Sequence, residues 1–310
     1  MKMGSWSFVG FCLWLAWLFL ARPFDPFALP YVSALVLAAA LWLIPLAWEL
    51  TRSPEWYVQM GLPAASLLAI SFLLDQGWEA AVFAMPWLVL TLAVAHHQWR
   101  RRKLRIWKAP ADLSHLLAFV YLPVGAIWAV ADRLGFQPMG FSPAIVLLTV
   151  AHFHYAGFIL PLLTGWVVGH LPGRWIRIAA YGVAMGIPLT AIGITSSQFH
   201  LPHFIEMLCA SIMALSGLMI GIGHLVLFRM YRGQSAAIYW LLGGLALSAG
   251  MCLALLYAWR SVFPLAFLSI PWMHAVHGSL NALGFALPAL LGWSLHLRRK
   301  PIRQKELSTL

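Results

Sequence analysis

The chain has 310 residues, of which 62% are hydrophobic and only 9% charged, yet its formal net charge is +11. A soluble domain carries roughly 45–50% apolar and about 25% charged residues, so a soluble globule, a disordered chain and a nucleic-acid binder are excluded together. A membrane helix takes about 20 apolar residues, which leaves room for about ten of them.

Apolar runs bounded by Pro, Gly or charge predict helices at 6–21, 31–48, 57–74, 78–95, 114–131, 143–169, 176–195, 203–228, 237–259 and 266–297. The first run looks superficially like a signal peptide. Arg22-Pro-Phe-Asp-Pro is a poor small-residue cleavage site, however, and the segment is read as a retained span. The first few runs are short enough for one to be re-entrant. No strand alternation persists as a barrel would need. The expected fold class is therefore all-α: a polytopic membrane bundle of about ten transmembrane helices. Residues 1–310 form one transmembrane domain with a short basic tail at 298–310. No repeat is evident. Cys12, Cys209 and Cys252 sit far apart in apolar runs without a CxxC, so they say nothing of redox compartment.

Lysine and arginine set the orientation. One set of alternate loops holds Lys2, Arg52, Arg100, Arg101, Arg102, Lys103, Arg105, Lys108, Arg174, Arg177, Arg229, Arg232, Arg298, Arg299, Lys300, Arg303 and Lys305. The other set holds only Arg22, Arg133 and Arg260. Short basic loops stay cytoplasmic, so both termini are expected inside, in a bacterial inner membrane. The basic excess is thus a topology signal, with contact to anionic lipid headgroups as its second effect.

Polar groups inside hydrocarbon are expensive, which makes the histidines informative. His96, His97, His170 and His296 fall at cytoplasmic ends and read as interfacial, as do His115 and His224. The other six do not. His152 and His154 lie 9–11 residues into the sixth span, roughly 14–17 Å deep at the helical rise. His200 and His203 stand at the outer start of the eighth, with Glu206 one turn further in. His274 and His277 lie 8–11 residues into the tenth.

Three helices therefore bring imidazoles into the outer half of the membrane. His203 and Glu206 share a helical face, and His274, His277 and Asn281 form one i, i+3, i+7 seam. His152 and His154 point about 200° apart, so a single centre takes only one of them from a regular helix. Tyr155 shares a face with His152 and favours it, leaving His154 as the alternative. Imidazoles with a carboxylate are the ligand set of iron, zinc or copper, so a transition metal or haem is the expected cofactor. The metal candidates are His152, His154, His203, His274 and His277, with Glu206, Tyr155 and Asn281 as catalytic or supporting groups. Asp75, Glu79, Gln198 and Arg260 map to the outer face, where they could line a mouth or simply be solvated. Thr190, Thr195, Ser196 and Ser197 either extend the polar path or satisfy the last carbonyls of their helix.

The segments Ala151-His-Phe-His-Tyr-Ala-Gly-Phe-Ile-Leu-Pro and His277-Gly-Ser-Leu-Asn-Ala-Leu-Gly-Phe resemble the YndJ-like family of bacterial membrane proteins. The likeness covers the sixth to tenth spans best. It implies that His152, His154, His277 and Asn281 are functional positions and supplies no mechanism. A more distant similarity to the histidine-bearing helices of haem–copper membrane proteins rests on histidine-plus-glycine texture.

Two readings follow for function. One is a membrane enzyme acting on an apolar, lipid-like substrate, of oxidoreductase or isomerase/cyclase type. The other is a proton-coupled transporter using the same histidines and Glu206. The cytoplasmic half offers no matching polar trail and no inverted repeat is visible, which favours the enzyme. The expected partners are the lipid bilayer and an apolar small molecule, with no nucleic acid.

Overall fold

Ten helical rods make up the computed structural model, which describes residues 5–102, 109–265 and 267–299. They are α1 (Ser5–Ala21), α2 (Leu29–Leu50), α3 (Trp56–Ser71), α4 (Trp78–Arg102) and α5 (Pro110–Leu134). Then come α6 (Pro143–His170), α7 (Arg174–Gln198), α8 (His203–Met230), α9 (Ser235–Ala258) and α10 (Ile270–Arg298). Eight are long and apolar enough to cross a membrane; α1 and α3 are shorter, at 17 and 16 residues. Among the described residues there is no strand. The protein is an all-helical polytopic membrane bundle.

Local sequence explains the rod ends. Pro110 and Pro143 open α5 and α6, where a proline loses no intrahelical donor. Ser142 caps α6 by accepting from the Ile145 amide at 3.5 Å. Gly135, at φ 75°, closes α5 in the left-handed conformation that only glycine adopts cheaply.

The rods alternate in direction. Ser7 donates to Glu49, and Arg298 approaches the same carboxylate at 3.9 Å, so the starts of α1 and α10's end meet at one end of the bundle. At the opposite end Arg133 donates to the Ser71 carbonyl, and Gln198 to the Gly140 carbonyl. The basic residues from Arg52 to Arg298 flank the first end, and Arg22, Arg133 and Arg260 the second. Lys2, Lys103, Arg105, Lys108, Lys300, Arg303 and Lys305, and most of the 298–310 tail, lie outside the described residues.

α2 is the axis, with 83% of its apolar window buried, whereas α4, α7, α8 and α9 present Val89, Met185, Leu215 and Leu242 to lipid. Three rods contain π turns, at Ala38–Leu43, Tyr155–Ile159 and Leu280–Ala286, each with a proline two residues beyond: Pro45, Pro161 and Pro288. The residue before each proline donates five residues back, Ile44 to Ala39, Leu160 to Tyr155 and Leu287 to Ala282. A proline ring does not fit under a normal α turn, and widening the preceding turn relieves it. A further π turn, Met273–Gly278, lies just ahead in α10. The widened stretches of α6 and α10 face each other, and the site lies between them.

The histidines near the basic end are not interfacial in the expected way. His224 and His296 are 0% and 2% exposed. Trp166, Trp240, Trp293 and Tyr231 close around His170 and His296, with ring centroids 4.8–5.5 Å apart. His224 Nδ1 donates to its own Ile220 carbonyl. Aromatic side chains from neighbouring rods cover these rings, which position along the sequence does not reveal. Asp132 is also buried, 5% exposed and paired with Arg133 at 3.1 Å.

Candidate functional site

A cavity of about 660 Å³ opens between α2, α5, α6, α7, α8, α9 and α10. It runs from mid-bundle, at Phe285 and Ala286, to the far-end loops at Met139, Gln198 and Arg260. Its lining includes none of the basic-end residues. Most of the wall is aliphatic or aromatic, as in a site for an apolar ligand.

The polar exceptions are largely the residues singled out by the sequence. His152, Tyr155, Glu206, His274, His277 and Asn281 all line this one cavity. His154 and His203 do not. His154 is 0% exposed and points the other way: its Nδ1 donates to Val150 at 2.8 Å and its Nε2 accepts from the Trp87 indole at 3.0 Å. Both nitrogens are used, so His154 ties α6 to α4. His203 stands exposed at the first turn of α8, above the cavity.

The five candidate histidines are therefore divided. Among the described residues no three His, Cys, Asp or Glu side chains come together in a group that could hold a metal ion. Glu206 is also engaged, through both oxygens, by Arg260 at 2.8 and 3.0 Å. A carboxylate in a two-pronged ion pair has little left for a metal.

His277 is anchored by Nδ1 donating to the Gly250 carbonyl at 2.8 Å. That contact fixes the tautomer and leaves Nε2 as an acceptor. The Asn281 amide nitrogen lies 3.3 Å from Nδ1 and 3.1 Å from Nε2. No point in the ring plane outside the imidazole is that close to both, so the amide stands over the ring face. It also donates to the His277 carbonyl at 2.9 Å, which holds it there. His152 stands near enough to His277 to interact with it electrostatically, packs edge-on to Phe153, and has no hydrogen-bond partner at Nε2. His274 Nδ1 and Asn281 Oδ1 are buried without partners as well. A buried polar atom left unpaired costs about 1–3 kcal/mol, so three around one cavity mark where an occupant's polar groups belong.

Tyr155 lines the wall with its ring, but its hydroxyl donates to the Leu35 carbonyl at 2.8 Å. It fixes α6 on α2 rather than facing a substrate with its proton. Tyr31 and Ser279, hydroxyls 2.7 Å apart, fix α10 on α2 in the same way. Thr190 does both things considered for it, lining the cavity while bonding the Gly186 carbonyl at 2.8 Å. Of the outer-face group, Gln198 and Arg260 reach the mouth. Asp75 and Glu79 are not part of the lining.

Two contributors were not visible in the sequence. Gly250 supplies the carbonyl that orients His277, and a Cβ there would stand 3.0 Å from Asn281 Oδ1. Tyr257 carries the Arg260 guanidinium 4.1 Å above its ring. Burial is the largest single influence and disfavours the Arg260 cation, but the hydrogen bonds to Glu206 and the electrostatic attraction of Tyr257 and Glu206 together outweigh it and raise its pKa above the ordinary arginine value.

The sequence profile of the YndJ-like proteins matches residues 34–285, which covers all or part of every rod that lines the cavity. The chain belongs to the YndJ-like family. One relative is the membrane protein YndJ of Bacillus subtilis (strain 168), 28% identical over 286 residues. That match covers 85% of this chain and 48% of the relative, so the chain spans about half the length of this YndJ protein. No solved structure matches the chain.

Proposed function

We propose that this YndJ-like protein is an intramembrane enzyme of isomerase type that moves a proton on an apolar, lipid-like molecule held in the cavity. The observation that supports it is the pairing, inside a largely apolar wall, of an anchored imidazole acceptor at His277 with an unpartnered imidazole at His152. His277 Nε2 takes a proton from a substrate carbon acidified by a neighbouring carbonyl or double bond, an N–H of His152 gives one to another carbon, and the His277 imidazolium then hands its proton to the neighbouring His152 ring so that both end neutral. The double bond between them shifts, the formula is unchanged and no oxidant is consumed. A positioned general base or acid contributes typically 10²–10⁴-fold, and a dry wall prevents loss of the reactive intermediate to water. Access from one end only suits an enzyme better than a carrier, which must open to both sides. Arg-rich loops at the opposite end orient the cavity toward the outer leaflet of a bacterial inner membrane.

Deuterium incorporation tests the reading directly. Protein in lipid nanodiscs is incubated with a total membrane-lipid extract in heavy water, and the lipids are examined by mass spectrometry. One lipid class should gain carbon-bound deuterium with wild type, and His277→Gln or His152→Gln should abolish the gain while keeping the unfolding temperature near that of wild type. No incorporation with wild type, or incorporation that survives both substitutions, refutes the proposal.

A further inference from the structure

The mouth of the cavity carries a fork that none of the described residues fills. Arg260 has five N–H donors in a rigid plane. Nη1 donates to Glu206 at 2.8 Å and to the Tyr257 carbonyl at 2.9 Å, and Nη2 donates to Glu206 at 3.0 Å. Those three bonds use the end of the guanidinium and its inner corner. The lateral edge, Nε–H beside the second Nη2–H, has no partner among the described residues. That edge is the one that takes a carboxylate or phosphate with two parallel hydrogen bonds.

The guanidinium does not depend on Glu206 alone for its position, because Tyr257 holds it by ring contact at 4.1 Å and by the carbonyl bond. Arg260 lines the cavity, and its side chain is 31% exposed, so the edge is accessible. The residues beside it place that edge at a lipid interface rather than in open water. Val262 and Phe263 lie two and three residues past Arg260, Phe199 and Leu201 one and three past Gln198, and all four are exposed. Exposed apolar side chains in loops at the end of a bundle sit in the headgroup region.

Depth supplies the other half of the argument. Glu206 is three residues into α8, His277 seven into α10 and His152 nine into α6. At the helical rise the imidazoles therefore lie about 6–9 Å deeper than the ion pair. Apolar wall, including Leu148, Ala210 and Ala191, lies between the two levels.

We infer that the cavity takes a membrane amphiphile by its oxyanion headgroup, which docks on the lateral edge of Arg260 while its hydrocarbon chain passes down to His277 and His152. This rests on the cavity reading above and names the class of molecule for it. The headgroup and the imidazoles then act as a ruler that selects a chain position about 6–9 Å below the head. Glu206 tempers the attraction by sharing the same cation, so the headgroup is held without being trapped.

Thermal-shift titration of the detergent-solubilised full chain tests this with four probes: a fatty acid, a lysophospholipid, a monoacylglycerol of equal chain length, and inorganic phosphate. Wild type should bind the two charged lipids at least about tenfold more tightly than the monoacylglycerol and show no shift with phosphate. Arg260→Lys keeps the charge but loses the fork and should erase that preference. Glu206→Gln should strengthen oxyanion binding, a gain that misfolding cannot imitate. Leu148→Trp, which fills the apolar wall, should weaken all three lipids together. Equal affinity for charged and uncharged lipids in wild type, or a preference that survives Arg260→Lys, overturns the headgroup inference while leaving the cavity reading intact. Lipid binding unaffected by Leu148→Trp overturns the cavity reading itself. A phosphate shift as large as the lipids' overturns the assignment to a lipid.

Discussion

Replacing Trp87 with phenylalanine should destabilise the protein through the histidine that the site does not use. Trp87 is 0% exposed, and its indole ring lies within 14° of the His154 plane with centroids 6.0 Å apart, so Nε1–H points along the Nε2 lone pair. His154 Nδ1 is already committed to Val150, so the ring cannot flip its tautomer to compensate. Hydrogen bonds between membrane helices measure about 0.6 kcal/mol on average and up to about 1.7, because the unfolded segments also find partners. A sealed, fully buried pair belongs at the upper part of that range. Truncating an indole to a phenyl in a packed core adds about 1–2 kcal/mol for lost contact and residual space. The total is about 2–3 kcal/mol. Unfolding in detergent, compared for Trp87→Phe, His154→Leu and the double variant, closes a cycle whose coupling term should be about 1–1.5 kcal/mol. Deuterium incorporation by the folded fraction should stay at the wild-type level. Additive single effects would refute the assignment of His154 as a tie between α6 and α4, and lost incorporation in a stable His154→Leu protein would return it to the site.

Other perturbations separate site from scaffold. Gly250→Ala should displace Asn281 by a few tenths of an ångström, lowering deuterium incorporation about tenfold with little change in unfolding temperature, since misplaced catalytic groups lose rate faster than stability. Arg133→Leu should cost about 3–5 kcal/mol in unfolding experiments by leaving Asp132 buried without its partner, and the Asp132→Leu/Arg133→Leu double variant should recover most of it. Chelation with EDTA should leave lipid-induced thermal shifts and deuterium incorporation unchanged; a loss restored by added zinc or iron would refute the acid–base mechanism in favour of a metal.

The bundle was legible because its signals are additive along the chain. Hydropathy, punctuation by proline and glycine, and loop charge each place a rod or an end without knowing what packs beside it, and the observed rods follow the predicted spans closely. The cavity's histidines were legible for a related reason: depth is a one-dimensional property, and His152 and His277 share it to within about 3 Å. What depth cannot supply is direction. His152 and His154 differ by about 200° on one helix, and only Trp87, on a rod some sixty residues earlier, shows which of them is structural. The i, i+3, i+7 seam of α10 assumed a regular α helix, whereas the π turns ahead of Pro288 open that spacing and lay the Asn281 amide on the His277 ring. Glu206 was visible as a buried carboxylate but not as one already held by a cation three residues past Tyr257. In each case the missing information was the identity of a partner across the bundle, and in each case that partner decides whether the residue can act on a substrate or only hold the wall that surrounds it.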